Sequence, residues 1–434
     1  MLGAFVNAFK TPDLRRKLLF VLMIIVLFRF GSTLPAPGVD VENVQACFDT
    51  ASEGDQAGLF SMINVFSGGA LLQLTVFALG IMPYITASII LQLLTVVIPR
   101  LEALKKEGQS GQTKITQYTR YLTLGLAVLQ GTGIVALARS GNLFGGACDL
   151  PLLYDPDSIV QFLITVLTMV AGTSVIMWFG ELITERGIGN GMSLMIFTQI
   201  IATFPGSMWA IRETNGIRTF AVVIVIGLAV VAGVIFIEQA QRRIPVQYAR
   251  RMVGRRMFGG SSTYIPLKVN QAGVIPVIFA SSLMYIPALA AQFNPEAPWA
   301  GWVNNNFVQG DHPLYMASYF ALIVFFTYFY VSITFNPKEV SDNMKKYGGF
   351  IPGIRAGKPT EEYLGYVLSR ITLPGSLYLG LISMIPLVAF VLIQANQNFP
   401  FGGVTILILI GVGLDTVKQI ESQLQQRNYE GFLR

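Results

Sequence analysis

Metal and nucleotide chemistry have little to stand on in this chain. It holds a single histidine, His312, and two cysteines, Cys47 and Cys148. No CxxC pair, no HExxH motif and no GxxxxGK[ST] phosphate loop occurs, so no metal or cofactor is expected. Charge is scarce too. Asp, Glu, Lys and Arg make up 12% of the 434 residues, about half the share of a soluble domain. Hydrophobic residues make up 53%, and mean hydropathy is +0.57. They come in long blocks, which excludes one water-soluble core and points to a polytopic membrane protein.

The blocks themselves lack ionisable groups. Arg29, Glu238 and Asp415 all lie near the ends of apolar windows. A proton-coupled transporter would carry a buried acid or histidine, and a channel with an ion filter would carry charges or a carbonyl-rich segment. An intramembrane hydrolase would need a nucleophile–base pair or metal ligands, which excludes an enzyme of that kind. What remains is a pathway with weakly polar walls, or a scaffold with no pathway. A secondary transporter of small solutes is the rival class.

Ten windows are long enough to cross a bilayer as helices: 18–36, 71–98, 116–137, 158–178, 188–205, 218–238, 273–292, 313–335, 371–393 and 399–418. The first follows Lys10, Arg15, Arg16 and Lys17 as a signal peptide would, but no small-residue cleavage site comes after it. It reads as an uncleaved span. Basic residues set the orientation. No Lys or Arg occurs from 30 to 99 or from 269 to 337. With the N-terminus inside, every basic residue except Arg29, Arg139, Arg212 and Arg218 falls on the inner side, and both termini are cytoplasmic. Cys47 and Cys148 then fall in outer loops, where a disulfide and two unpaired thiols both remain open.

Three stretches are not spans. "GLFSMINVFSGGALLQL", Gly58 to Leu74, begins with a run too short to cross and breaks at Gly68-Gly69. It is either a re-entrant piece lining a cavity or a surface-lying helix. Inner loop 239–272 holds six arginines between Arg242 and Met257. Its flanks, "IPVQYA" and "TYIPLKV", alternate as strands do, around the Gly-rich "GRRMFGGSS", so a hairpin or pair of extended segments is expected. Inner loop 336–370 has Pro and Gly turns that present Arg355 at a fixed tip. A solvated linker would explain the charge sign but not the strand pattern or the paired arginines.

At "FSGGAL", "FALGIMPYITASIILQLLT", "KKEGQSGQTKITQYTRY", "GELITERGIGNGMS", "QRRIPVQYARR", "YIPLKVNQAGVIPVIFASS" and "FIPGIRAGKPT" the chain closely resembles the SecY family, channel subunits of the bacterial Sec protein-conducting translocon. The likeness runs from Arg15 to the last window. It implies an all-α protein of ten transmembrane helices in two inverted five-helix halves, 1–205 and 218–434, around a central pore. A hinge or outer loop at 206–217 would join them.

The resemblance also implies residue roles. A pore ring would be formed by Ile81, Ile85, Met192, Ile196, Ile278 and Ile408; the family usually has isoleucine where Met192 stands. A short re-entrant plug helix would span about 58–70, with Phe60, Ile63, Phe66, Gly68 and Gly69. A lateral gate would use Thr86, Gln92, Gln130 and Asn270. Loops 239–272 and 336–370 would receive the SecA motor ATPase or the ribosome through Arg242, Arg243, Arg250, Arg251, Arg255, Arg256 and Arg355. Paired arginines suit the phosphates of ribosomal RNA. SecE and SecG would be partner subunits. Signal sequences, nascent polypeptides and membrane lipid would meet the gate. No cofactor is implied.

Overall fold

The structure is a computed structural model. It describes residues 9–52, 70, 73–141, 143, 150–155, 158–248, 251–253, 256–258, 262–293, 297–303, 306–307, 312–393 and 403–431. Phe60, Ile63, Phe66, Gly68 and Gly69 of the expected plug, together with Cys148, Arg250 and Arg255, lie outside the described residues.

The chain is mostly helical. Its helices are α1 (Pro12–Thr33), α2 (Val41–Ser52), α3 (Met82–Val97), α4 (Pro99–Lys106), α5 (Gln109–Arg139), α6 (Ile159–Arg186) and α7 (Gly191–Gln239). Strands β1 (Gln241–Tyr248), β2 (Arg251–Val253), β3 (Arg256–Phe258) and β4 (Ser262–Lys268) follow. Then come α8 (Ile275–Phe293), α9 (Pro298–Val303), α10 (Pro313–Thr334), α11 (Pro337–Lys346), β5 (Gly349–Phe350), α12 (Lys358–Ile393) and α13 (Gly403–Gly431). Prolines open α1, α3, α4 and α11, where a missing N–H leaves no helical bond unmade. Among the described residues five helices are long and apolar enough to cross a membrane, or six if the bent pair α3 and α4 is one span.

One window and one loop differ from expectation. Window 71–98 is not helical from its start: residues 73–81 form turns, and helix begins only at Met82. The turn backbone is satisfied instead by the chain after α1, with Val76 N–H donating to Leu34 O at 2.9 Å and Ala36 N–H to Leu74 O at 3.0 Å. Non-helical backbone in an apolar segment is tolerated where protein surrounds it. Glycines make that room, since a Cβ at Gly31 would meet the Phe77 ring and one at Gly172 would meet Val76 O. The second difference is the expected outer loop at 206–217. It is helical as far as a single break at Gly216, where φ is 76°. Turn chemistry there is confined to the Asn215-Gly216 pair.

By packing, the chain forms two compact units. The first comprises Met1–Val223, Ser282–Met316 and Pro386–Arg434. In it α3 packs on α5 and α5 on α6. Its main core joins Val39, Val44 and Cys47 to Leu74, Leu79, Val135, Leu152 and Met169. The second comprises Ile224–Ser281 and Ala317–Ile385. It carries an antiparallel sheet of order β4-β1-β5. Ile244, Val246 and Leu267 from the sheet pack on Met344, Ile351, Leu364 and Val367.

Candidate functional site

Four of the ring candidates, Ile81, Ile85, Met192 and Ile196, follow local turns at helix starts. Ile81 stands at the N-cap of α3 after Gly80, whose φ is 56°. Ile81 and Ile85 are one helical turn apart and share a face. Met192 and Ile196 repeat that spacing at the start of α7. There Asn190 Oδ1 accepts from Met192 N–H at 3.0 Å and from Ser193 N–H at 3.4 Å, an N-cap. Thr184 Oγ1 accepts from Gly191 N–H at 2.9 Å, and Gly189 adopts φ 90°. The "TERGIGNG" segment is thus a device for turning from α6 into α7. The Met192 side chain lies over Gly180 of α6, where any Cβ would collide with its sulfur.

Ile81, Ile196, Ile278 and Ile408 are buried, and Ile85 and Met192 are half-buried. Ile278 belongs to the second unit and the other five to the first. All six are apolar, so they offer dispersion contacts and no bonding partner.

The gate candidates differ in what they can still do. Thr86 Oγ1–H donates to Met82 O at 3.0 Å and stays on its own helix. Gln92 is exposed and Gln130 half-buried. Asn270 is buried and donates through Nδ2 to Glu238 Oε1 at 2.6 Å and to Gly273 O at 3.2 Å.

The arginine loops form one structure. β1 pairs antiparallel with β4 from Gln241↔Lys268 to Gln247↔Ser262, so the expected hairpin is present. β5, from the second loop, adds to β1 at Gln247↔Phe350 and Tyr248↔Gly349. That coupling was not legible, because the pairing residues lie about a hundred positions apart. Pro245 offers no N–H, but it lies on β1 before β5 joins, and Pro266 is on edge strand β4.

Arg242 and Arg243 are exposed on β1, and Arg251 and Arg256 fall on the short β2–β3 ladder. Arg355 is exposed on a turn fixed by Gly353 and Gly357, at φ 85° and 106°. Thr360 Oγ1–H donates to Arg355 O at 2.8 Å, and Ser341 Oγ–H to Gly357 O at 2.7 Å. The fixed tip expected for Arg355 has a physical basis in these bonds.

One feature escaped the sequence reading, and one open alternative is decided. Arg120 on α5 makes a bidentate pair with Glu181 on α6, at 2.8 and 2.7 Å. Partners 61 residues apart leave no local signal. Cys47 is disulfide-bonded and fully buried. Cys148 is the only other cysteine in the chain.

These features define a helical membrane protein with a basic sheet platform built from two loops and a set of apolar residues in the first turns of helices. The SecY family model matches residues 75–417. The protein translocase subunit SecY of Streptomyces griseus is 68% identical over 440 residues, covering 100% of both chains. That of Mycobacterium tuberculosis strain H37Rv is 60% identical over 444 residues, again covering 100% of both. A solved protein-conducting channel superposes with TM-score 0.62 at 17% identity, covering 93% of this chain and 91% of that one. Sec61 in the canine ribosome-channel complex gives 0.60 at 16%. The chain belongs to the SecY family.

Proposed function

We propose that this chain is the protein-conducting channel subunit of a bacterial Sec translocase. It passes unfolded secretory polypeptides across the cytoplasmic membrane and releases membrane-protein helices sideways into lipid. The observation that carries the reading is the end-to-end identity with named protein translocase subunits. The chain catalyses no covalent reaction. In this reading ten helices span the bilayer in two inverted halves, 1–205 and 218–434, with both termini cytoplasmic and 58–70 as plug.

The physical logic is simple. A narrow collar of Ile81, Ile85, Met192, Ile196, Ile278 and Ile408 sheds water and so blocks ions. The same collar deforms around a chain of any sequence, because dispersion needs no specific partner. Methionine at 192 keeps the collar apolar and adds side-chain freedom. Thr86, Gln92, Gln130 and Asn270 hold the lateral gate by weak polar contacts that an apolar signal helix can displace. SecE and SecG are the partner subunits. SecA or the ribosome docks on the platform through Arg242, Arg243, Arg250, Arg251, Arg255, Arg256 and Arg355, and supplies the driving energy together with the membrane potential. The shared sheet supports this reading, since it couples both docking loops in one rigid surface.

The test is site-specific photo-crosslinking at Ile81, Met192 and Ile408, one at a time, against a secretory chain stalled halfway. Crosslinks from all three to one short stretch of substrate are expected. Silence at all three, with crosslinks only from the arginine loops, would mean that the polypeptide crosses elsewhere.

A further inference from the structure

We infer that Glu238 is a positioning residue for the gate, acting through Asn270. The inference rests on the gate reading of Asn270 given above. Glu238 is the last residue but one of α7, and Asn270 stands between β4 and α8. Both acceptors of the Asn270 amide are fixed: the Glu238 carboxylate at 2.6 Å and Gly273 O at 3.2 Å. Neither can donate, so the amide has one orientation only, with Nδ2 inward. Both of its N–H groups are consumed inside this node.

Oδ1 is left over. It is buried and has no hydrogen-bond partner among the described residues. A buried amide oxygen without a donor is costly, so this atom is primed to accept.

The surroundings hold the arrangement still. Gly375 on α12 packs directly on the backbone beside Asn270: a Cβ there would come within 2.5 Å of Val269 O. Val269 N–H in turn donates to Ala240 O at 3.0 Å, tying the end of β4 back to the chain just after Glu238. Gly273, whose carbonyl accepts the second N–H, takes φ 60°, a conformation glycine adopts without strain. The gate contact of Asn270 is therefore an acceptor contact. Its partner must be a donor. A gate held by such a bond opens when an apolar signal helix offsets it, so weakening the bond lowers the hydrophobicity that a signal needs.

The experiment uses the full chain reconstituted with SecE, SecG and SecA. It reads the ratio of translocation rates for two precursors that differ only in signal hydrophobicity, weak over strong. Asn270→Ala should raise that ratio about 3–10-fold, within the range one lost buried hydrogen bond allows. Glu238→Ala should raise it by a similar factor, and the double variant no further than Asn270→Ala. Glu238→Gln keeps an acceptor oxygen and should behave like the parent. Glu238→Lys offers only donors, turns the amide over, and should raise the ratio as Glu238→Ala does.

If Asn270→Ala raises the ratio and Glu238→Ala does not, the positioning role falls and the gate reading stands. Effects that multiply in the double variant overturn the inference, as does an equal slowing of both precursors with a lower unfolding temperature. If Asn270→Ala leaves the ratio unchanged, the gate reading of Asn270 fails and takes the inference with it.

Discussion

Two loop layers, one in each compact unit, are fastened by different means. In the second unit β1 and β4 share a continuous ladder, β5 extends it, and an apolar core lies beneath. In the first unit the segment after α1 meets the segment before α6 through isolated bonds. Val39 bridges to Leu153, Asp40 N–H donates to Leu152 O at 3.0 Å and Tyr154 N–H to Gly38 O at 3.1 Å. Gln161 Nε2–H donates to Gly38 O at 2.9 Å, and Asn43 Nδ2–H to Pro151 O at 3.0 Å. Cys47 adds a covalent tie. The difference follows from composition. The platform is rich in arginine, which repels itself, so only a ladder over a core of its own can hold it. The first unit's layer, or cap, is short and nearly free of basic charge, and it settles on a core that α5 and α6 already provide.

The sharpest way to break this comparison is to charge the platform core. Leu267 is buried against Ile244 and Met344. Leu267→Asp places an unpaired carboxylate there, at a cost of roughly 3–5 kcal/mol or more. Tryptic cleavage within 239–272 should accelerate by orders of magnitude, and docking of SecA and ribosomes should fail together, since both loops share the sheet. Unchanged cleavage would mean that the ladder alone holds the platform.

The cap should respond to a different insult. Cys47→Ser removes the covalent tie and should lower stability by about 2–4 kcal/mol. Proteolysis should speed up between 35 and 52, while the platform keeps the protection it had. A reducing agent applied to the parent should do the same, and should do nothing to the variant. Next in size is Gln161→Ala, which removes one side-chain bond to the Gly38 carbonyl and costs about 1 kcal/mol. Hydrogen exchange at Tyr154, whose N–H shares that carbonyl, should report it. A loss at the platform of similar size would show that the two layers are not separately fastened.

How far the sequence foretold this depends on the range of each signal. The hairpin was legible because alternation in "IPVQYA" and "TYIPLKV" is local. The partner of β1 in β5 and the Arg120–Glu181 pair were not, because their residues are far apart in the chain. Hydropathy placed a helix start at 71 that the backbone delays to Met82. A sum over side chains cannot see that Gly31 and Gly172 let turns pack where helix was expected. The ring candidates were legible only through resemblance, because an isoleucine in an apolar window carries no mark of its task.

The smallest expected effect separates both layers from ordinary surface. Lys106 Nζ lies 2.7 Å from Glu102 Oε1, one helical turn away on α4, and both side chains are largely exposed. The hydrogen bond from Lys106, then its charge, hold the Glu102 carboxyl below the ordinary carboxylate range. A lowered folded value means that any contribution to stability is present above the unfolded pKa and is lost as pH falls through the folded one. Solvent screens this pair, so Lys106→Ala should leave the unfolding temperature where it was. The Glu102 carboxyl should nonetheless titrate at higher pH in the variant, which side-chain NMR on a selectively labelled sample would detect. A measurable loss of stability would mean that α4 rests on this pair, and that the surface carries load which the ladder and the disulfide were taken to bear alone.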